Sequence, residues 1–199
     1  RRCQQAGVEL HPGHAPTLDE LNALHPYAIL DATGGLPTVP ARIPGAQDSP
    51  LVCTPPDILT GKLQPTGEVI AVIGSGMTGL ETDTAVLVVE AAPRLAPGVY
   101  GSNRNAVTAV LDQNNAVCLT SRALTKVGTD RIYLTDPQTG EEYTYPCQRV
   151  VLALGTTPTK PYGEALETVC SRVLSVGDAA KSGMIWDAVH GGYHAAREL

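Results

Sequence analysis

Val69-Ile70-Ala71-Val72-Ile73-Gly74-Ser75-Gly76-Met77-Thr78-Gly79 is the stretch that decides the fold. Its first five residues are apolar and mostly β-branched, the signature of a short buried strand. The next six follow the G-x-G-x-x-G pattern of a tight turn that opens a helix, here into Leu80-Glu81-Thr82. A second apolar run, Ala85-Val86-Leu87-Val88-Val89, ends in the acidic Glu90. Strand, glycine turn, strand and terminal acid make up the dinucleotide-binding fingerprint of a Rossmann-like unit, in which the acid usually stands about 20 residues beyond the glycines. Here Glu90 follows Gly79 by 11 residues. Parallel strands need a crossover of about a dozen residues or more, and only Leu80 to Thr84 are available. The spacing predicts that residues have been lost between about Thr82 and Asp83, the bulk of a crossover helix. The other reading is a truncated, non-functional variant.

Each part of the motif has a physical task. Gly74 permits the turn, Gly76 lets backbone approach a pyrophosphate, and Gly79 allows close helix–strand packing. The amides of Ser75, Met77 and Thr78, at or near the helix N-terminus, suit an anionic phosphate. Glu90 would accept hydrogen bonds from the adenosine ribose hydroxyls and repel a 2′-phosphate, so NADH is expected over NADPH. Arg94, four residues on, works against that preference. A solvated strand-end acid is the plainer role for Glu90.

Working outward, the chain reads as α/β with parallel sheets. A helical tail at Arg1-Arg2-Cys3-Gln4-Gln5 precedes a strand expected at Val8-Glu9-Leu10. Thr17-Leu18-Asp19-Glu20 has capping-box spacing and starts a helix to about Leu24. Tyr27 to Ala32 is a strand that runs into Thr33-Gly34-Gly35, and Thr54-Pro55-Pro56 opens another helix. Beyond Glu90 come a helix near 103–113, a strand at 116–120, and three short strands at 123–126, 131–134 and 143–147 that form an antiparallel meander. Arg149 to Leu154 is a buried strand ending at Gly155. Arg172 to Val176 is another, followed by Gly177-Asp178-Ala179 and a closing helix near 184–198.

The 199 residues suffice for one large or two small domains, and the net charge of −6 argues against a nucleic-acid or anionic-membrane surface. No run approaches the ~20 apolar residues of a membrane span. The five scattered cysteines contain no C-x-x-C, so inert thiols in a reducing cytoplasm are expected. No signal peptide is visible, and the start at Arg1 suggests a fragment of something larger. His190 and His194 share a helix face but lack a third metal ligand, as do His11 and His14. Ser75 and Ser182 have no base partner for hydrolytic chemistry. Asp178 is either a ligand-facing residue at a strand end or a turn residue, and Thr33-Gly34-Gly35 is either a binding turn or a flexible exit.

Taken together, these stretches resemble flavoprotein reductases with two dinucleotide-binding domains. More narrowly, they are similar to the C-terminal part of the 2,4-dienoyl-CoA reductase, 2-enoate reductase and trimethylamine dehydrogenase family. The resemblance rests on Ala32 to Gly35, Pro56 to Leu59 with Gly61-Lys62, Val72 to Thr82, and Ala96-Pro97-Gly98. It continues through Val151 to Gly155, Gly177-Asp178-Ala179, and Asp187-Ala188-Val189 with Gly192-Tyr193. It implies a partial FAD-binding domain in residues 1–65 and 159–199, with an NAD(P)H-binding Rossmann-like domain, residues 66–158, inserted between. It further implies that Thr33, Gly34, Gly177 and Asp178 serve FAD, while Glu81 faces the nicotinamide carboxamide and Gly155 lies beside the nicotinamide.

By the same resemblance, FMN, an iron–sulphur cluster and the barrel domain that holds them belong to an N-terminal part absent from this sequence. So does the FAD domain's own glycine fingerprint. No catalytic acid or base is expected here. The function implied is passage of hydride from NADH to FAD and on to an enoyl, dienoyl or related substrate. A nucleotide-binding module that holds an ADP-like ligand without turnover is the alternative, and a stand-alone NAD-dependent dehydrogenase is a third.

Overall fold

The computed structural model describes residues 2–64, 69–75, 85–99 and 101–199. Gly76, Met77, Thr78, Gly79 and Glu81 lie outside the described residues, and so does the break expected between Thr82 and Asp83. In chain order the elements begin with α1 (Arg2–Gln5), α2 (Leu18–Ala23), β1 (Ile29–Asp31), β2 (Gly35–Pro37), β3 (Val52–Cys53) and α3 (Pro55–Leu59). They continue with β4 (Val69–Ile73), β5 (Ala85–Val89), α4 (Gly101–Gln113), β6 (Val117–Leu119), β7 (Ala123–Val127), β8 (Arg131–Thr135), β9 (Glu142–Pro146) and β10 (Arg149–Leu152). β11 (Thr156–Pro158), α5 (Leu166–Val169), β12 (Val173–Ser175) and α6 (Ile185–Glu198) complete the chain.

Contacts divide the chain into two compact units, Arg1–Gly35 with Pro158–Leu199, and Leu36–Thr157. Residues 36–64, grouped from sequence with the first domain, pack in the second unit. The reason is local: β3 pairs with β10, and Ile58 and Leu63 join the core below the sheet.

In the Leu36–Thr157 unit, five parallel strands are ordered β3-β10-β4-β5-β6. The register runs Val69↔Ala85 to Ile73↔Val89 on one side of β4 and Arg149↔Ile70 to Leu152↔Ile73 on the other. Because β4 is covered on both faces, its sequence is continuously apolar rather than alternating. Ala71 and Ile73 face one cluster with Leu87, Val89, Val150 and Leu152, while Ile70 and Val72 face another with Val86, Val88 and Val151. The first cluster is covered by the antiparallel meander β7-β8-β9 through Leu124, Val127, Ile132 and Leu134. The second is covered by Ile58 of α3 and Leu111 of α4. This is the α/β architecture with an antiparallel meander expected from sequence.

The other unit holds a two-stranded parallel sheet, β1 with β12, in register Ile29↔Val173 to Asp31↔Ser175. The Thr17 capping box forms, with Glu20 N donating to Thr17 Oγ1 at 3.2 Å and Thr17 N donating to Glu20 Oε2 at 2.7 Å. The expected strand at Val8-Glu9-Leu10 is not one. Val8 and Leu10 are exposed, and a short run without a neighbouring strand has no ladder to join.

Leu152 is fully buried at the centre of the parallel sheet. Leu152→Ala is expected to cost about 2–5 kcal/mol, read as a lower urea midpoint of unfolding with an unchanged slope.

Candidate functional site

All five strands of the large sheet point the same way, so their carboxyl ends share one edge. The chain runs from β4 outward to β5 and β6, then returns to β10 on the far side of β4. The strand order therefore reverses between β4 and β10, the position where open α/β sheets hold ligands. Gly74 leaves β4 at this point and Ala153 leaves β10. Gly74 N donates to Val89 O and Ala153 N donates to Ile73 O, both at 2.8 Å. Gly74 has φ +96°, and a Cβ there would stand 2.4 Å from Ala153 O. No larger residue fits this passage. Gly155, at φ +81°, is exposed, and a Cβ there would meet nothing within 4 Å.

Glu90 ends β5 beside this turn. Its Oε2 accepts from Ser75 N at 3.2 Å and Ser75 Oγ at 2.5 Å, and its Oε1 accepts from Ala92 N at 2.9 Å. Its backbone continues the sheet edge, donating to Leu119 O and accepting from Arg122 N. Partial burial pushes the Glu90 carboxyl up, but hydrogen bonds from the Ala92 amide, the Ser75 hydroxyl and amide, and the Ala91 amide outweigh it. The net result lies below the ordinary carboxylate value. Among the described residues no basic side chain forms an ion pair with it. An ionised carboxylate offers about four lone-pair directions, and the Ala92 and Ala91 amides with the Ser75 hydroxyl and amide supply four donors that hold it in place. The site thus holds an anchored negative charge with which, among the described residues, no cation is paired.

Thr33, Gly34, Gly177 and Asp178 lie in the other unit, at the carboxyl ends of β1 and β12. Thr33 N and Oγ1 both donate to Asp31 Oδ1, at 3.0 and 2.7 Å. Gly34 has φ +76° and open space where a Cβ would be. Gly177, at φ +58°, brings its α-carbon so close to α6 that a Cβ would lie 3.3 Å from the Ala188 methyl. Asp178 accepts from Gly183 N at 3.1 Å, closing the loop before α6. A cavity of about 480 Å³ opens beside Gly177, lined also by Ser175, Lys181, Asp187 and His194 among others; Thr33, Gly34 and Asp178 are not among its lining residues. Its size is ordinary for a small-molecule or cofactor site. Asp31 went unnoticed in the sequence, although it carries the same strand-end signal as Glu90. Ala92 and Ala96, which grip Glu90 and Ser75, carry no sequence signal at all.

His190 stacks on Trp186 with ring centroids 4.0 Å apart, and among the described residues no group of His, Cys, Asp or Glu is arranged to hold a metal. All five cysteines are free thiols. Burial raises the Cys53, Cys118 and Cys147 thiols above their ordinary value. No described helix is long and apolar enough to cross a membrane.

A two-faced parallel sheet with a glycine turn and an anchored acid at its switch point defines a dinucleotide-binding α/β protein. A family model for pyridine nucleotide-disulphide oxidoreductases matches residues 16–190, and the chain belongs to that family. An NADH oxidase of Thermoanaerobacter brockii is 28% identical over 205 residues, covering 98% of this chain and 31% of that protein. Among solved structures, 2-naphthoyl-CoA reductase in complex with 2-naphthoyl-CoA has a TM-score of 0.84 at 23% identity, covering 100% of this chain and 31% of its own. The 6-hydroxypseudooxynicotine amine oxidase of Pseudomonas geniculata N1 has a TM-score of 0.82 at 22% identity, covering 94% and 31%. Histamine dehydrogenase of Rhizobium sp. 4-9 has a TM-score of 0.76 at 19% identity, covering 96% and 33%. At these identities the structures speak for the fold alone. The chain spans about 31% of the length of the NADH oxidase it matches.

Two outcomes follow from this geometry. Gly74→Ala is expected to cost on the order of 2–3 kcal/mol, from backbone strain and the clash with Ala153 O, whereas Gly155→Ala costs about 1–2 kcal/mol for its φ alone; thermal unfolding of the pair measures the difference. Because the Glu90 carboxyl titrates lower folded than unfolded, its ionisation favours folding above the unfolded value of about 4.3, and this contribution is lost as pH falls through the folded value. Glu90→Gln should therefore flatten part of the stability loss seen below about pH 4 in acid titration and leave the neutral plateau without a slope.

Proposed function

We propose that this chain is the FAD- and NADH-binding part of a longer flavin-dependent oxidoreductase of the 2,4-dienoyl-CoA reductase, 2-enoate reductase and trimethylamine dehydrogenase group. The observation that carries the reading is Glu90, an anchored carboxylate without a cationic partner, placed beside the Gly74-Ser75 turn at the sheet's switch point. When bound, NADH supplies a hydride and the flavin accepts it.

The chain's own residues bind and align. Glu90 accepts from the adenosine ribose hydroxyls and disfavours a 2′-phosphate. Gly74 lets the turn pass close to β10, and Gly155 leaves the edge open beside the nicotinamide. Gly76, Met77, Thr78 and Gly79 would hold the pyrophosphate, and Glu81 the carboxamide. Thr33, Gly34, Gly177 and Asp178 serve FAD in the other unit, where Gly177 lines a cavity of about 480 Å³. None of these side chains is required as a general acid or base.

The domain assignment we favour remains an NAD(P)H-binding domain inserted within an FAD-binding one. The relative from T. brockii is by name an NADH oxidase, which supports NADH as donor. An enoyl, dienoyl or related substrate belongs to the same proposal. That substrate would sit in the remainder of the protein, an N-terminal barrel carrying FMN and an iron–sulphur cluster. Five free cysteines accord with a cytoplasmic setting.

Anaerobic titration of the full-length, flavin-loaded protein with NADH tests this. Bleaching of the flavin absorption band is expected, and Glu90→Gln should raise the NADH KM about tenfold with little change in kcat. Nucleotide bound without bleaching would instead favour the ADP-like binding module.

A further inference from the structure

Ser75 belongs by sequence to the turn whose amides face a phosphate, yet its side chain is turned to other work. The residue is 6% exposed. Its Oγ donates to Glu90 Oε2 at 2.5 Å and accepts from Ala96 N at 2.6 Å, while its N donates to the same Oε2. A hydroxyl has one proton to give, and here it goes to Glu90. With Ala92 N on Oε1, the carboxylate is held at both oxygens.

The hold extends along the chain after β5. Ala96 is 2% exposed and has φ +44°, a left-handed backbone that costs an alanine on the order of 1–2 kcal/mol. It is kept there from two sides, since Ser75 Oγ takes its N–H and Arg104 Nε donates to its carbonyl at 3.1 Å. Arg104 Nη2 also donates to Val99 O at 2.7 Å, tying the same segment to α4. Residues 90–96 are thus pinned at both ends, and between the pins stands the exposed Arg94.

We infer that Ser75 is a positioning residue for nucleotide selectivity: its hydroxyl fixes the Glu90 carboxylate toward the ribose and holds the Arg94-bearing segment 91–96 in place. The inference rests on the reading that Glu90 receives the adenosine ribose of NADH. With the clamp intact, a 2′-phosphate meets a fixed negative charge. With it released, the carboxylate can swing away and Arg94, a permanent cation with bidentate geometry for phosphate, can turn toward the ligand.

The test is titration of NADH and NADPH into the full-length protein and its variants. Ser75→Ala is expected to weaken NADH about three- to tenfold, the size of one lost hydrogen bond, and to leave NADPH unchanged or tighter. Its NADH affinity should also fall off at a higher pH on the acid side, because the carboxyl has lost a donor that lowers its titration. Ser75→Thr, which keeps the hydroxyl, should retain the wild-type preference. In the Glu90→Gln background Ser75→Ala should change the NADH-to-NADPH ratio by less than about twofold, as expected for two residues acting as one unit. Should Ser75→Ala fail to fold, Glu90→Asp serves instead, since it keeps the charge but falls short of the Ser75 hydroxyl, and it should narrow the ratio in the same way. A Ser75→Ala ratio equal to wild type, with Glu90→Gln still lowering it, overturns the role of Ser75 and leaves the ribose site standing. Glu90→Gln without effect on either nucleotide overturns the ribose reading itself.

Discussion

The nucleotide-binding edge depends on how closely the chain leaving β4 passes the chain leaving β10. At Gly74 a single added carbon would stand 2.4 Å from a backbone oxygen of Ala153. Backbone this close is possible only where the residue has no side chain and can take a positive φ. The passage keeps the carboxyl ends of β4, β10 and β5 together, and Gly74 N closes it by bonding across to Val89 O. Ser75 and Glu90 then meet because Ile73 and Val89 are paired, with Ser75 two residues past the one and Glu90 one residue past the other. Geometry that looks like loop chemistry is the register of the strands carried one or two residues further.

Much of this was legible in the sequence because burial on two faces leaves a plain mark. Val69–Ile73, Ala85–Val89 and Arg149–Leu152 are the three central strands, and each reads as an apolar, β-branched run. The capping box at Thr17 was equally open, since it uses local side chain–backbone bonds. Val8–Leu10 shows the limit of the same reasoning: the residues prefer a strand, but a strand needs a partner, and partners are not local. β3 errs in the opposite direction. Two residues, Val52 and Cys53, carry too little pattern to announce a strand, yet their pairing with β10 draws residues 36–64 into the larger unit.

The candidate site divides along the same line. Gly74, Glu90, Gly155 and Gly177 could be picked out because each stands where an apolar run stops. The clamp joining Ser75, Glu90 and Ala96 could not, because it spans up to 21 residues and depends on an alanine in a glycine-like conformation. A glycine at position 96 would have flagged the turn. An alanine hides it, and its strain is offset by hydrogen bonds on both its N–H and its carbonyl.

The short span between Gly79 and Glu90 bears differently on the two ends of the nucleotide. A chain returning from the top of β4 to the foot of β5 must cover five residues of strand, roughly 17 Å. A helix rising 1.5 Å per residue needs about eleven residues for that, before any turn. Nine residues, 76–84, stand between Ser75 and β5. The pyrophosphate end of such a site draws on helix N-terminal amides and so on that crossover. The ribose end does not. Glu90, Ser75 and Ala92 are set by strand ends and by the segment running to Arg104, all of them outside the crossover. On the function proposed, ribose selectivity and phosphate affinity would therefore have separate structural origins in this chain, and a change in the crossover would weaken both dinucleotides alike while leaving their ratio to Ser75 and Glu90.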